Sequence, residues 1–340
     1  MASSLPNRSS PPNRGASTRG HEASLADTAE YPILTQTTDR FTARGVTLVV
    51  PAFNEQDGIE GVVQRLSNLN LGVPLEIIVV DDGSTDGTAR VLEKLATRTG
   101  EFAARKATLT VVKHGVNKGY GAALKTGFSR AAHDVVVITD ADGTYPEHKI
   151  VELLARIDDG ADMAVGARIG ADVQIPLVRR PAKAFLRLLA SYLAGTRIPD
   201  LNSGLRAMRR EMVLRYRPIL PQGFSFTTTI TLAALTNDHR VDYVTIDYKK
   251  REGRSKIRPI RDTLGFTSLI VRTVLYFNPL KVIYPVGGVL FAGLLVSLYF
   301  DCFVTNPANL SDKTTLLFMA LIQVLAVGLL ADLIDKRSRL

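Results

Sequence analysis

Two carboxylates, Asp140 and Asp142, flank Ala141 in the stretch VVVITDADGTYP, Val135–Pro146. Alternation along an extended chain puts both acids on one side and Ala141 on the other. Such oxygen donors suit a hard cation, Mg²⁺ or Mn²⁺, carrying a phosphorylated ligand. Mg²⁺ commonly takes only one or two carboxylates and completes its shell with substrate phosphates. A lone D-x-D is equally the pattern of a solvated acidic turn, so the rest of the chain must decide.

The elements that would position these acids are legible from periodicity. Val135 opens a short β-branched run suited to a strand buried on both faces of a parallel sheet. Strands are expected at Thr47–Val50, Leu75–Val80, Ala107–Val112, Met163–Val165 and Val241–Tyr248. Helices are expected from Asp57 to about Leu69, through Val91–Leu95, from Asn117 through Phe128, and over Glu147–Ile157. Strands alternating with helices predict a parallel α/β sheet with helices on both faces. Ligands of such sheets bind beyond the carboxyl ends of the strands. Glu55, Asp81, Asp82, Asp140 and Asp142 all fall at those ends. Their arrival at one edge favours a site over a set of unrelated turns.

The flanking segments differ in character. Residues 1–43, rich in Ser, Pro, Arg, Asn and Thr, lack any period and read as a disordered tail without a secretory signal's apolar core. Pro176–Ile198 interleaves Leu177, Phe185, Leu188 and Leu189 with Arg179, Arg180, Lys183 and Arg187. That pattern suits a membrane surface or a core-packed helix. A basic loop follows Tyr248 with Lys249, Lys250, Arg251, Arg254, Lys256, Arg258 and Arg261, and a second amphipathic helix is expected from Ile260 to Phe277. Val282–Phe300 and Thr314–Ala331 contain no charged residue. Each approaches the roughly 20 residues that a membrane helix needs. Arg272 and Lys281 precede the first and Lys336, Arg337 and Arg339 follow the second, whereas the connecting loop carries Lys313 against Asp301 and Asp312. The positive-inside rule then places both termini and the catalytic domain in the cytoplasm.

The 340 residues carry 42 Lys and Arg against 33 Asp and Glu, a net charge of +9 that fits nucleic acid, anionic lipid or a polyphosphate substrate. Two membrane spans do not suit a nucleic-acid module. Cys302 is the only cysteine, which excludes an intramolecular disulfide and zinc-type cysteine spacing.

The set PAFNE, VVDDGSTDGT, NKGYGAALKTG, TDADGTYP, VGAR and NSGLR, spanning about Thr47 to Lys256, resembles the family 2 glycosyltransferases. More narrowly it is similar to the polyprenyl-phosphate sugar synthases of the dolichol-phosphate mannose synthase type. The resemblance implies a GT-A (Rossmann-like) nucleotide-sugar-binding domain over residues 44–256. A juxtamembrane amphipathic segment, 257–281, and a two-helix membrane domain, 282–340, would follow. It implies inverting transfer of one sugar from a GDP- or UDP-hexose to a dolichyl or undecaprenyl phosphate, with Mg²⁺ or Mn²⁺. It leaves homo-oligomerisation open and calls for no nucleic acid.

By the same resemblance Pro51, Phe53, Glu55, Asp81 and Asp82 line the nucleoside pocket. Asp140 stands near ribose and metal, and Asp142 binds the metal. Relatives often carry Gln two residues beyond the second acid, where this chain has Thr144. Arg168, Ser203 and Arg206 match positions near the reacting phosphate, and Arg251 and Lys256 match a loop closing over the donor diphosphate. A phosphate monoester is largely dianionic at pH 7, with its second pKa near 6, so no general base is assigned. A polysaccharide synthase of the same superfamily would carry a Gln/Arg/Trp acceptor motif, which a chain without Trp lacks. A non-catalytic scaffold would have no reason to keep the Asp140/Asp142 pair.

Overall fold

The computed structural model describes residues 45–169, 180–223, 225–247, 259–304 and 310–338. The expected N-terminal tail, the beginning of the first amphipathic stretch, and Arg251 and Lys256 lie outside the described residues.

A seven-stranded sheet has the order β3-β2-β1-β4-β6-β5-β7. β1 (Val46–Ala52), β2 (Leu75–Asp81), β3 (Ala107–Lys113) and β4 (Val135–Ile138) run parallel, with Val46 opposite both Leu75 and Val135. Every residue of β1 is buried, as its near-continuous apolar run requires. Its one polar side chain, Thr47, donates to Glu76 Oε2 at 2.6 Å, which removes the penalty for burying a hydroxyl.

The side-chain period of two divides the core. Leu48, Val50, Ile77 and Val79 join α1 (Ile59–Ser67) and α5 (Lys149–Asp158) on one face. Val49, Val136 and Ile138 join α4 (Tyr120–Arg130) and α8 (Phe226–Thr236) on the other. Each fully buried aliphatic side chain is worth about 1.5–3 kcal/mol relative to exposure.

One strand departs from the parallel expectation. β6 (Arg206–Arg209) runs antiparallel between β4 and β5 (Met163–Ala167), while β7 (Val241–Thr245) pairs parallel with β5. The tetrapeptide RAMR has no β-branched residue and no alternation to reveal it. α7 (Arg210–Tyr216) and α8 were likewise not anticipated. β6 enters the sheet where β4 and β5 leave it, because Arg206 pairs with Ile138 and Val165. The loop 200–205 is thereby delivered to the same edge as Asp140.

Chain order also creates a crevice at that edge. After β1 the chain builds outward through β2 and β3, then returns to place β4 on β1's other side. Such a switch point is where open α/β sheets bind ligands. Pairing of β1 with β4 stops at Val49–Ile138, whereas pairing with β2 continues to Ala52–Asp81. Pro51, which has no N–H to offer, therefore stands beyond the last β4 rung, where a central strand tolerates it.

α6 (Arg180–Ala194) packs one side of the amphipathic stretch into the core. Ala190, Leu193 and Ala194 pack with Leu232 of α8 and with Ile270 and Val274 of α9 (Pro259–Phe277). On the same helix Phe185, Leu188 and Tyr192 remain exposed. α10 (Pro279–Tyr299), a π-helical turn at Phe300–Val304 and α11 (Asp312–Ser338) follow. Pro279–Val304 and Asp312–Ile334, with mean hydropathies of 1.9 and 2.4, are long and apolar enough to cross a membrane. The two helices pack against each other, and Asp301 at their turn accepts from Ser311 Oγ at 2.8 Å and Thr314 Oγ1 at 2.6 Å.

Candidate active site

Loops from several strands converge beyond the strand ends. The one after β1 is tied to the one after β2 by a row of hydrogen bonds. Asn54 takes a left-handed φ of 58°, and its Oδ1 accepts from Thr85 N at 2.8 Å. Glu55 N donates to Thr88 Oγ1 at 2.9 Å, and Gln56 Oε1 accepts from Gly87 N at 2.7 Å. Thr88 opens α2 (Thr88–Ala96). This staple keeps Pro51, Phe53 and Glu55 beside Asp81 and Asp82. Phe53 is 43% exposed, which leaves an aromatic face at the mouth of the crevice.

Asp81 and Asp82 are both buried but differently used. Asp81 Oδ1 accepts from Ser84 N at 3.0 Å. Asp82 accepts from His114 Nδ1 at 2.7 Å and Lys118 N at 3.0 Å through Oδ1, and from Gly119 N at 2.7 Å through Oδ2. Both Asp82 oxygens therefore serve the loop 114–119, a role that neighbouring-residue spacing could not disclose.

The D-x-D turn is held from several sides. Asp142 Oδ1 accepts from Thr144 N at 3.1 Å and from the Thr144 hydroxyl at 2.7 Å. Thr144 thus orients Asp142. Asp140 Oδ1 accepts from the Tyr120 hydroxyl at 3.2 Å. Gly204 lies against the same carboxylate: an added Cβ would come within 2.9 Å of Asp140 Oδ1. Tyr145 accepts from Gly204 N at 2.7 Å. Burial, reinforced by the charge of Asp140, pushes both tyrosine hydroxyls well above their ordinary range, so each remains protonated. On the outer side, a cleft is lined by Asp57, Gly58, Arg65, Asp142, Gly143 and Glu147. Arg65 Nε there meets Glu147 Oε1 at 2.7 Å.

Arg168 follows β5 and meets Asp200 in a bidentate ion pair, Nε to Oδ2 at 2.7 Å and Nη2 to Oδ1 at 3.0 Å. Burial alone would raise the Asp200 carboxyl. The hydrogen bonds and charge of Arg168, with the N–H groups of Asn202 and Arg168, outweigh it and hold the carboxyl at about 2. Asp200 was not among the expected site residues, although it opens the stretch that contains NSGLR.

Arg206 departs from its expected place. Its side chain is 0% exposed and the largest that is fully buried. Nε donates to Ser203 O at 2.7 Å, Nη2 to Leu201 O at 3.0 Å and Nη1 to Thr231 Oγ1 at 2.6 Å. The guanidinium thus braces the 201–205 turn from inside the protein. Burial lowers its pKa, yet an arginine stays charged. Beside it the Tyr243 hydroxyl is pushed up to about 12, chiefly by burial, and among the described residues no hydrogen-bond partner is placed for it.

Among the described residues no group of three or more His, Cys, Asp or Glu is placed to hold a metal. What this edge offers is Asp140 and Asp142, two hard oxygen ligands in one turn. That set fits Mg²⁺ or Mn²⁺ whose remaining ligands are a nucleotide's phosphates.

Comparison with known proteins agrees with this geometry. The family model described as glycosyl transferase family 2 matches residues 47–217, half of the chain. The undecaprenyl-phosphate 4-deoxy-4-formamido-L-arabinose transferase of Salmonella typhimurium is 27% identical over 311 residues, covering 88% of this chain and 90% of that protein. Its counterpart from Salmonella paratyphi A matches with the same identity and coverage. Among solved structures, glucosyl-3-phosphoglycerate synthase from Mycobacterium tuberculosis, in complex with Mn²⁺, UDP and phosphoglyceric acid, superposes with a TM-score of 0.50. It is 22% identical and the match covers 68% of this chain and 78% of that one. At that identity the likeness is one of fold, and it is the GT-A fold expected from the motifs.

Proposed function

The chain belongs to glycosyl transferase family 2, and from that membership we propose that it transfers one sugar from a nucleotide-sugar donor to a polyprenyl phosphate at a membrane surface. The observation that carries this reading is the meeting, at one sheet edge, of the Asp140–Asp142 turn with the Arg168–Asp200 pair. That edge belongs to a domain followed by two helices able to cross a membrane. Relatives named for undecaprenyl phosphate match over 88% of the chain.

In this reading Pro51, Phe53, Glu55 and Asp81 form the nucleoside side of the crevice, and Asp82 shapes it through the 114–119 loop. Asp140 and Asp142 would hold Mg²⁺ or Mn²⁺, which would supply positive charge to offset that developing on the departing nucleoside diphosphate. Arg168, held in fixed orientation by Asp200, faces the reacting phosphates, where a planar guanidinium grips oxygens in pairs. Arg251 and Lys256 close over the diphosphate and exclude water that would otherwise hydrolyse the donor.

The acceptor needs no base. A phosphate oxygen of the lipid forms the new bond to the anomeric carbon as the bond to the diphosphate breaks, with inversion and with no proton transferred. Asp200 is too acidic to take a proton, and α8 has no acid in its first turn. The task left to the protein is to aim the acceptor phosphate at the anomeric carbon. The Lys and Arg distribution puts both termini and the catalytic domain on the cytoplasmic face.

The test is to supply labelled nucleotide sugars with a short polyprenyl phosphate and count label in the organic phase. Label in organic-extractable product supports the reading. Transfer only to water-soluble acceptors or to a growing polymer would replace it.

A further inference from the structure

Asp82, at the end of β2, has its oxygens occupied by His114 Nδ1 and by the N–H groups of Lys118 and Gly119. The other ring nitrogen, His114 Nε2, lies 2.9 Å from Thr126 Oγ1 on α4. Nδ1–H is directed to the carboxylate, so the ring is held between Asp82 and Thr126. The imidazole and Asp82 side chains are 6% and 4% exposed, so this is an interior clamp and not a ligand-contacting pair.

The clamp ends where α4 begins. Gly119 has a φ of 101°, and a Cβ there would stand 2.7 Å from Gln222 O. A residue with a side chain could not make this bend, and the bend aims the first residue of α4, Tyr120, across the crevice. Its hydroxyl reaches Asp140 Oδ1 at 3.2 Å. One continuous path of contacts thus runs from the end of β2 to the D-x-D turn after β4. Asp140 is held on its other side by the close approach of Gly204, so the tyrosine completes its confinement.

We propose that Tyr120 is a positioning residue for the sugar-donor site: it fixes Asp140 in the orientation that receives the cation-bound diphosphate, and the Asp82–His114 clamp sets where Tyr120 stands. This rests on the reading of Asp140 as a donor-site carboxylate. Tyr120→Phe keeps the ring and removes the hydroxyl together with its hydrogen bond to Asp140. A carboxylate held less firmly must be ordered when the ligand arrives, and that cost appears in metal-dependent binding.

The experiment measures calorimetric binding of UDP and of GDP to the full-length protein in nanodiscs, with MnCl₂ and with EDTA. Wild type and Asp140→Asn come first. If wild type shows no Mn²⁺-dependent nucleotide affinity, or Asp140→Asn retains it, the donor-site reading fails and this proposal falls with it. If that reading holds, Tyr120→Phe should weaken Mn²⁺-dependent affinity by roughly five- to tenfold. Affinity in EDTA and the melting temperature should stay as in wild type. His114→Gln should shift Mn²⁺-dependent affinity the same way, and the double variant should be no worse than the stronger single one. Thr126→Val takes its place if His114→Gln does not fold. Unchanged Mn²⁺-dependent affinity in Tyr120→Phe overturns the proposal. So does an equal loss with and without metal, which would mark a general packing role. Additive effects of the two substitutions overturn the part assigned to the clamp.

Discussion

Arg168 and Asp200 stand thirty-two positions apart and share two parallel hydrogen bonds, 2.7 and 3.0 Å long. The aspartate side chain is 4% exposed and the arginine 19%. The pair joins the carboxyl end of β5 to the turn that precedes β6, and so fixes two sides of the crevice relative to each other.

The pair predicts how stability depends on pH. Asp200 is held at about 2 in the folded protein against an ordinary 3.8, so its folded pKa is depressed. Its stabilisation is then complete above about 4 and is lost as pH falls toward 2, a contribution of about 2 kcal/mol. Melting temperatures of wild type and Asp200→Asn should differ above pH 4 and converge below it. A difference that persists unchanged to pH 2 would mean that the ion pair is not its source.

Arg206 should behave as a brace. Arg206→Ala leaves Leu201 O, Ser203 O and Thr231 Oγ1 without their donor, a loss of more than about 2 kcal/mol. Arg206→Lys should recover only part, since an ammonium cannot reproduce the planar fork. Thermal unfolding should report the loss, and donor and acceptor KM should rise together. An unaltered melting temperature with only the acceptor KM raised would restore a direct contact with the acceptor phosphate.

Thr144 should matter through Asp142. Thr144→Val keeps the shape and removes a hydroxyl that donates at 2.7 Å. Turnover at limiting Mg²⁺ or Mn²⁺ should fall by roughly tenfold, and Asp142→Asn should abolish it with the melting temperature preserved. Saturating metal should narrow the Thr144→Val deficit; a deficit indifferent to metal concentration would refute the link.

Topology can be read with cysteine labels in a background where Cys302 is replaced by Ser. Cysteines at positions 311 and 338 should label from opposite sides of the membrane, with position 338 cytoplasmic. Labelling of both from one side would show that the two apolar helices do not each span.

The basic loop divides by role. Arg251→Ala and Lys256→Ala should slow transfer in detergent and in bilayers alike, because both are assigned to the diphosphate. Lys250→Ala should act through membrane affinity, where a basic residue near an anionic surface is worth about 1 kcal/mol, and its effect should shrink in detergent. Equal behaviour of all three in both settings would end that division.

Period and local chemistry in the sequence determined much of this protein. The nearly all-apolar β1 and the Val135 strand, the acids at the strand ends and the two uncharged C-terminal runs were all legible, since each depends on residues close together in the chain. Asp142 with Thr144 is such a local unit. What only the tertiary structure decided involves partners distant in sequence. β6 is too short and too polar to announce itself, yet its antiparallel insertion brings Gly204 against Asp140. That insertion also turns Arg206 inward onto Thr231 and sets Asp200 on Arg168. Asp82 next to Asp81 looks like a second ligand-facing acid, and only the packing of the 114–119 loop reveals it as a clamp. Adjacent residues in a sequence share composition, but the direction of a side chain at the end of a strand is set by whichever donor the fold brings to it.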